Sequence, residues 1–120
     1  RRFPDVSARG SYAVDIHNPT GKGPTLKRLP PDQAYDLPLR ALMPQGVDRI
    51  LVAGRCISGS HEAHSSYRVM PIAMATGQAA GVCAALATRD GRNPRDMDAA
   101  EVQDVLRRQG VNLGDNEARQ

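Results

Sequence analysis

Hydrophobic and polar positions along the chain predict a short β-rich first part and a helical second part. From Ser11 to His17, Tyr12, Val14 and Ile16 fall on one face and Ala13, Asp15 and His17 on the other, the period of a half-buried strand. Asn18 to Pro24 is a turn-rich loop, and Thr25 to Leu29 is expected to return as a second strand, giving a hairpin. Pro30-Pro31 breaks it. Tyr35-Asp36-Leu37-Pro38 must be extended, because a residue before proline is pushed out of the α region. Leu39 to Met43 is a short strand candidate. Ile50 to Ala53 reads as a buried strand, too short for a helix and closed by Gly54. A polar loop with His61, His64 and Arg68 follows.

A first long helix is expected to begin at Val69 to Pro71 and to run to about Thr88, since proline is tolerated in a first turn. Gly77 and Gly81 lie one turn apart, and their side of the helix is expected to be buried by close packing. A second helix should start at Asp98, where Asp98-Ala99-Ala100-Glu101 has the form of a capping box. Val102, Val105 and Leu106 form its apolar stripe, and Gly110 ends it. From Asp115 the tail is polar and expected to fray.

Composition narrows the picture. The 120 residues suit one domain of ordinary size; 40% are hydrophobic and 24% charged, so a core is feasible. Aromatics are 3%, so that core must be aliphatic. The net charge of +3 is mildly basic, with Arg residues dispersed rather than clustered, which argues against a nucleic-acid partner. Cys56 and Cys83 have neither disulfide-framework nor zinc spacing and read as thiols in a reducing compartment. The apolar run from Val69 to Ala87 is dominated by Ala and interrupted by Thr76 and Gln78, too weakly hydrophobic for a membrane span. The assignment is cytoplasmic, with an N-terminal targeting segment left open. The start at Arg1-Arg2 without Met reads as a piece of a longer protein.

Several motifs fail on spacing. Thr20-Gly21-Lys22 lacks the upstream glycine and the following Ser or Thr of a phosphate loop. His61 and His64 are three apart where a zinc helix needs four. No nucleophile elbow surrounds Ser58 or Ser60. No G-x-G-x-x-G follows a strand anywhere.

What remains is a strand end, a loop rich in His and Arg, and an Ala/Gly helix, an order that gathers chemistry at one point in many α/β cofactor proteins. Ala53-Gly54-Arg55-Cys56-Ile57-Ser58, His61-Glu62-Ala63, Ser66, Arg68-Val69-Met70 and Gly77-Gln78-Ala79-Ala80-Gly81 resemble the C-terminal signature of FAD-dependent oxidoreductases of the glutathione-reductase-type superfamily. Ala8 to Tyr12, Asp15-Ile16-His17 and Tyr35 to Arg40 resemble the same branch, in the expected order.

The resemblance implies an α/β or α+β fold: a closing strand and C-terminal helices of an FAD-binding domain (46–114), a few antiparallel strands of a substrate domain (1–45), and a frayed tail (115–120). It implies FAD in the parent protein, with little or no binding by this chain alone. Gly54, Arg55, Val69, Met70 and Ile72 are the implied cofactor contacts, the last three as N–H donors toward the flavin N1/O2 edge; Pro71 cannot donate. In the wider flavoprotein class the position after Gly54 is usually acidic; here it is Arg55, whose fork can reach a pyrophosphate oxygen. His61 and Arg68 are the catalytic candidates, a proton carrier and a clamp for a carboxylate or enolate. His64 reads as a local structural residue. The expected partners are the missing dinucleotide-binding portion of the same protein, a small organic substrate and, for the isolated chain, a second copy through self-association; no membrane is expected. The readings weighed against this one are a lyase or other carbohydrate-active protein, a non-catalytic structural or oligomerisation module, and a small metal protein using His61 and His64.

Overall fold

A computed structural model describes residues 2–21 and 23–114. The frayed tail expected from Asp115 lies outside them. The fold is mixed: two small antiparallel sheets and three helices. Strand β1 (Val6–Gly10) pairs with β4 (Tyr35–Pro38), with Arg9 opposite Asp36 and Gly10 opposite Tyr35. The ladder slips between Val6 and Ala8, where the Ser7 hydroxyl donates to the Leu37 carbonyl at 3.1 Å. Asp36 is fully enclosed and is met by Arg9 Nε at 3.1 Å and by the Phe3 N–H at 3.0 Å, so the buried carboxylate is both paired and hydrogen-bonded.

The hairpin holds: β2 (Val14–His17) pairs with β3 (Pro24–Lys27) around the Asn18 turn. Three expectations need correction here. The strand read over Ser11 to His17 is shorter, and β1 precedes it. Leu39–Leu42 is a 3-10 turn, not a strand. The segment from Ile50 to Ala53 is neither buried nor a strand: Ile50 is 51% exposed, and the Val52 N–H bonds to Leu42 outside any ladder. Its apolar sequence is right for a strand, but no described strand lies alongside it, and a lone strand has no ladder to join.

Helix α1 (His61–Tyr67) occupies the stretch read as a loop. Ser60 caps it by accepting from the Ala63 N–H at 3.2 Å. Helix α2 (Met70–Arg89) begins where expected, with Val69 as its cap residue and Pro71 in its first turn. Its buried face runs through Ile72, Thr76, Ala79, Cys83 and Leu86, a helical period, and packs on β1 and on α3 (Ala99–Arg108). By length and composition α2 is apolar enough to cross a membrane, contrary to the reading of the sequence; one of its faces joins the hydrophobic core.

The face with Gly77 and Gly81 is exposed, and a Cβ at either glycine would meet nothing. That overturns the expected close packing. The buried stripe follows the larger side chains one position away, and Met70 and Met74 are left 74% exposed on the glycine side. In α3, Asp98 caps the Ala100 N–H at 3.0 Å, and Glu101 turns away from the cap to pair with Arg92 at 3.6 Å. Gly110, at φ +83°, sits just past its end, where the Gly110 and Val111 N–H groups bond back to Arg107 and Leu106. Val102 and Leu106 are fully buried, and the Gln103 amide donates to the Pro4 and Val6 carbonyls, tying α3 to the first strand.

Candidate functional site

The candidate residues converge on α1 and the start of α2. Gly54 takes φ +64°, a left-handed conformation that favours glycine. Its N–H donates to Thr76 Oγ1 at 2.9 Å, and that hydroxyl in turn donates to the Ala73 carbonyl. This fixes the turn Gly54–Cys56 against the first turns of α2. From there Arg55 extends to the junction of the helices, where Nε donates to the Arg68 carbonyl at 3.3 Å. Its Nη groups have no acceptor among the described residues.

No side chain caps α2. Its first N–H groups lack intrahelical acceptors by construction, and the N-terminal end of the helix dipole is positive. Val69, Met70 and Ile72 supply those N–H groups. Met70 is exposed, whereas the Ile72 side chain is buried against Gly10. The start of α2 opens into a small cleft with Tyr12, Val69, Pro71 and Ile72 in its wall.

His61 and Arg68 lie on one side of α1 and its end, around a cleft of about 320 Å³ shared with Asp15, His17 and His64. Arg68 Nε donates to the Ser65 carbonyl and Nη2 to the Asp15 carbonyl, both at 3.3 Å, with the Asp15 carboxylate 3.7 Å away. Nη1 has no acceptor among the described residues. His61 makes no hydrogen bond with described residues. His64 hydrogen-bonds the Arg55 carbonyl through Nε2 at 3.3 Å and sets its ring edge-on to Tyr67. The cleft thus holds all three histidines of the chain. His17 was not among the candidates. The alternation that puts Asp15 and His17 on one strand face was the signal for it.

A family model for FAD dependent oxidoreductase matches residues 1–106. The chain belongs to the FAD-dependent oxidoreductase family. No curated protein and no solved structure gives a match. The resemblance read from Ala53 to Gly81 is therefore borne out at the level of the family.

The residues of this FAD-dependent oxidoreductase chain fit one end of that cofactor. An uncapped helix start beside an Arg suits the electron-rich edge of a flavin ring, and Gly54 lets its turn lie close against Ala73 of that helix. They do not supply the glycine-rich turn that holds a dinucleotide pyrophosphate.

Proposed function

We propose that this chain forms the ring-facing and substrate-facing part of the flavin site in an oxidoreductase of the glutathione-reductase-type branch. The observation that carries the reading is the meeting, at one helix junction, of Arg55, Arg68 and the uncapped start of α2. Val69, Met70 and Ile72 would donate N–H groups to the N1/O2 edge of the ring, and Arg55 would add positive charge there. When bound, the flavin supplies hydride transfer, which must be coupled to a proton transfer on the substrate. His61, exposed and without a hydrogen-bond partner among the described residues, is the group placed to exchange that proton. Arg68, held in place through Nε and Nη2, keeps Nη1 for an anionic group of a small organic substrate. His64 and Asp15 position the junction rather than act on substrate.

The pyrophosphate grip would come from a dinucleotide-binding portion of the same protein, and the exposed Met70, Met74, Gly77 and Gly81 face of α2 supports a partner surface of that kind. Alone, such a face favours self-association. Free thiols at Cys56 and Cys83 fit a reducing compartment such as the cytoplasm. The carbohydrate-active and lyase readings have less support, because the polar cleft carries one carboxylate, Asp15, and not a facing pair.

Titrating the chain with FAD, followed by amide NMR, tests the placement. Weak binding with shifts centred on Val69, Met70 and Ile72 is expected. A tight stoichiometric complex, or shifts confined to distant residues, would overturn it.

A further inference from the structure

The chain has one Phe, three Tyr and no Trp. All four rings, Phe3, Tyr12, Tyr35 and Tyr67, line a single groove of about 430 Å³ on the side of α1 away from the histidines. We propose that this groove binds a small ligand carrying a planar aromatic ring.

The rings are fixed in the wall rather than merely near it. A Cβ at Gly10 would lie 2.6 Å from the tip of the Tyr35 ring, and a Cβ at Gly59 would run into the Tyr67 hydroxyl. Two positions without side chains therefore make room for two of the four rings. Ser66 donates its only hydroxyl proton to the Tyr12 carbonyl at 2.6 Å, so Tyr35 donates to Ser66 Oγ at 2.7 Å. Tyr67 donates to the Ile57 carbonyl at 3.0 Å. Phe3 lies under the Arg40 guanidinium, 4.9 Å from ring centre to charge.

These same bonds decide the ligand class. The hydroxyls of Tyr35, Tyr67 and Ser66 are engaged with protein, Ser60 caps α1, and Asp36 is enclosed by Arg9 and Phe3. A sugar would need partners for several hydroxyls; Tyr35, Asp36, Ser60, Ser66 and Tyr67 are already bonded, which leaves it Tyr12, Ser58 and Glu62 in the wall. An aromatic ring gains most from other aromatic rings beside it, and four aromatic residues line this groove. Its volume suits a small ligand rather than a folded segment. Tyr12 is 42% exposed and also borders the cleft at the start of α2 beside Val69 and Pro71. A substituent on the ring would pass over Tyr12 toward that helix start. This direction, unlike the ring site itself, rests on the flavin placement proposed above.

Benzyl alcohol, cyclohexanol and glucose, titrated separately into the flavin-free chain with the side-chain ring signals followed by NMR, test the site. Because no flavin is present, failure of the flavin placement leaves the result unaffected. Benzyl alcohol should give saturable shifts at Phe3, Tyr12 and Tyr35 with a roughly millimolar dissociation constant, and the other two should bind roughly tenfold more weakly. Equal binding of cyclohexanol, or preferred binding of glucose, overturns the aromatic class. Absence of saturable shifts with benzyl alcohol overturns the site. Ala63→Leu fills the groove from an exposed position on α1 and keeps a good helix former; it should weaken benzyl alcohol binding roughly tenfold. Unchanged affinity in that variant would place the ligand elsewhere.

Discussion

On one side of α1 three imidazoles and the Arg68 guanidinium surround a cleft open to water; on the other, four aromatic rings wall an apolar groove. Seven residues of helix separate them. The polar side is held by backbone carbonyls: Ser65 and Asp15 hold Arg68, and Arg55 holds His64. The aromatic side is held by the bonds of Tyr35, Ser66 and Tyr67 and, in addition, by close packing at Gly10 and Gly59. The two sides should therefore respond differently to change. Truncation on the polar side removes chemistry and leaves the fold; addition of a single carbon on the aromatic side strains the fold.

The largest expected effect is on turnover. In a protein that carries both parts of the flavin site, Arg68→Ala and His61→Ala should each slow the reductive half-reaction by roughly 2–4 kcal/mol of transition-state stabilisation while flavin content stays near wild type. Rates and flavin occupancy measured on the same preparations check this. Losses that fall in proportion would make the polar side scaffold, like the aromatic side, and remove the contrast.

Gly59→Ala should lower stability by about 1–3 kcal/mol in a denaturant melt, because Tyr67 is buried and cannot swing aside. The nearest atom is the Tyr67 hydroxyl, so Tyr67→Phe should relieve the clash. The double variant should then lose less than the two single losses combined, with a coupling of roughly 0.5 kcal/mol or more. Additive losses would mean that the ring is not what Gly59 accommodates.

Much of this contrast was hidden in the sequence. Helices α2 and α3 were legible because each sustains a helical period and has cap or breaker residues at its ends: Pro71 and Asp98 at the starts, Gly91 and Gly110 after the stops. Helix α1 was not, because His61-Glu62-Ala63-His64-Ser65-Ser66-Tyr67 has no apolar stripe; its buried face is Ser65, Ser66 and Tyr67, satisfied by hydrogen bonds to the Glu62 carbonyl within the helix and to the Tyr12 and Ile57 carbonyls outside it. The candidates His61, Arg68, Gly54 and Arg55 were found through the family motif; the structure brings Arg55 to Arg68 at the helix junction, sets Gly54 against α2 and places His61 with Arg68 on the polar cleft. The groove was not, since Phe3, Tyr12, Tyr35 and Tyr67 share no spacing, and only the pairing of β1 with β4 and the packing of α1 bring them together. Gly77 and Gly81 show the opposite error: a spacing that suggests packing, on a face that packs against nothing described.

Alkaline pH should act on the aromatic side through its phenols. Burial raises Tyr35 and Tyr67 above the ordinary value of 10.0. Below about pH 10 both are neutral in folded and unfolded chains, and their contribution is fully present. As pH climbs further, the unfolded chain loses its protons first, so stability falls until the folded phenols ionise. Thermal melts should show this decline above about pH 10, and Tyr35→Phe should make it shallower. A decline of unchanged slope would mean that Tyr35 does not carry it.

The smallest expected effect touches neither side of α1 and so serves as the reference for the others. Gly77 lies inside α2 at an ordinary helical φ, and a Cβ there has open space around it. Glycine in a helix interior loses more backbone entropy on folding than alanine does. With no packing to oppose it, Gly77→Ala should raise the stability of the chain by about 0.5–1 kcal/mol. Gly81→Leu should likewise cost nothing from overpacking. Both variants should leave the imidazole signals of His17, His61 and His64 and the ring signals of Tyr12 and Tyr35 where they are, because α2 presents its opposite face to the core. A denaturant melt at low protein concentration, with NMR of the same samples, measures both quantities. A loss of stability would mean that the glycine face is packed in solution, and the natural cause would then be a second copy of the chain, visible as a concentration-dependent midpoint.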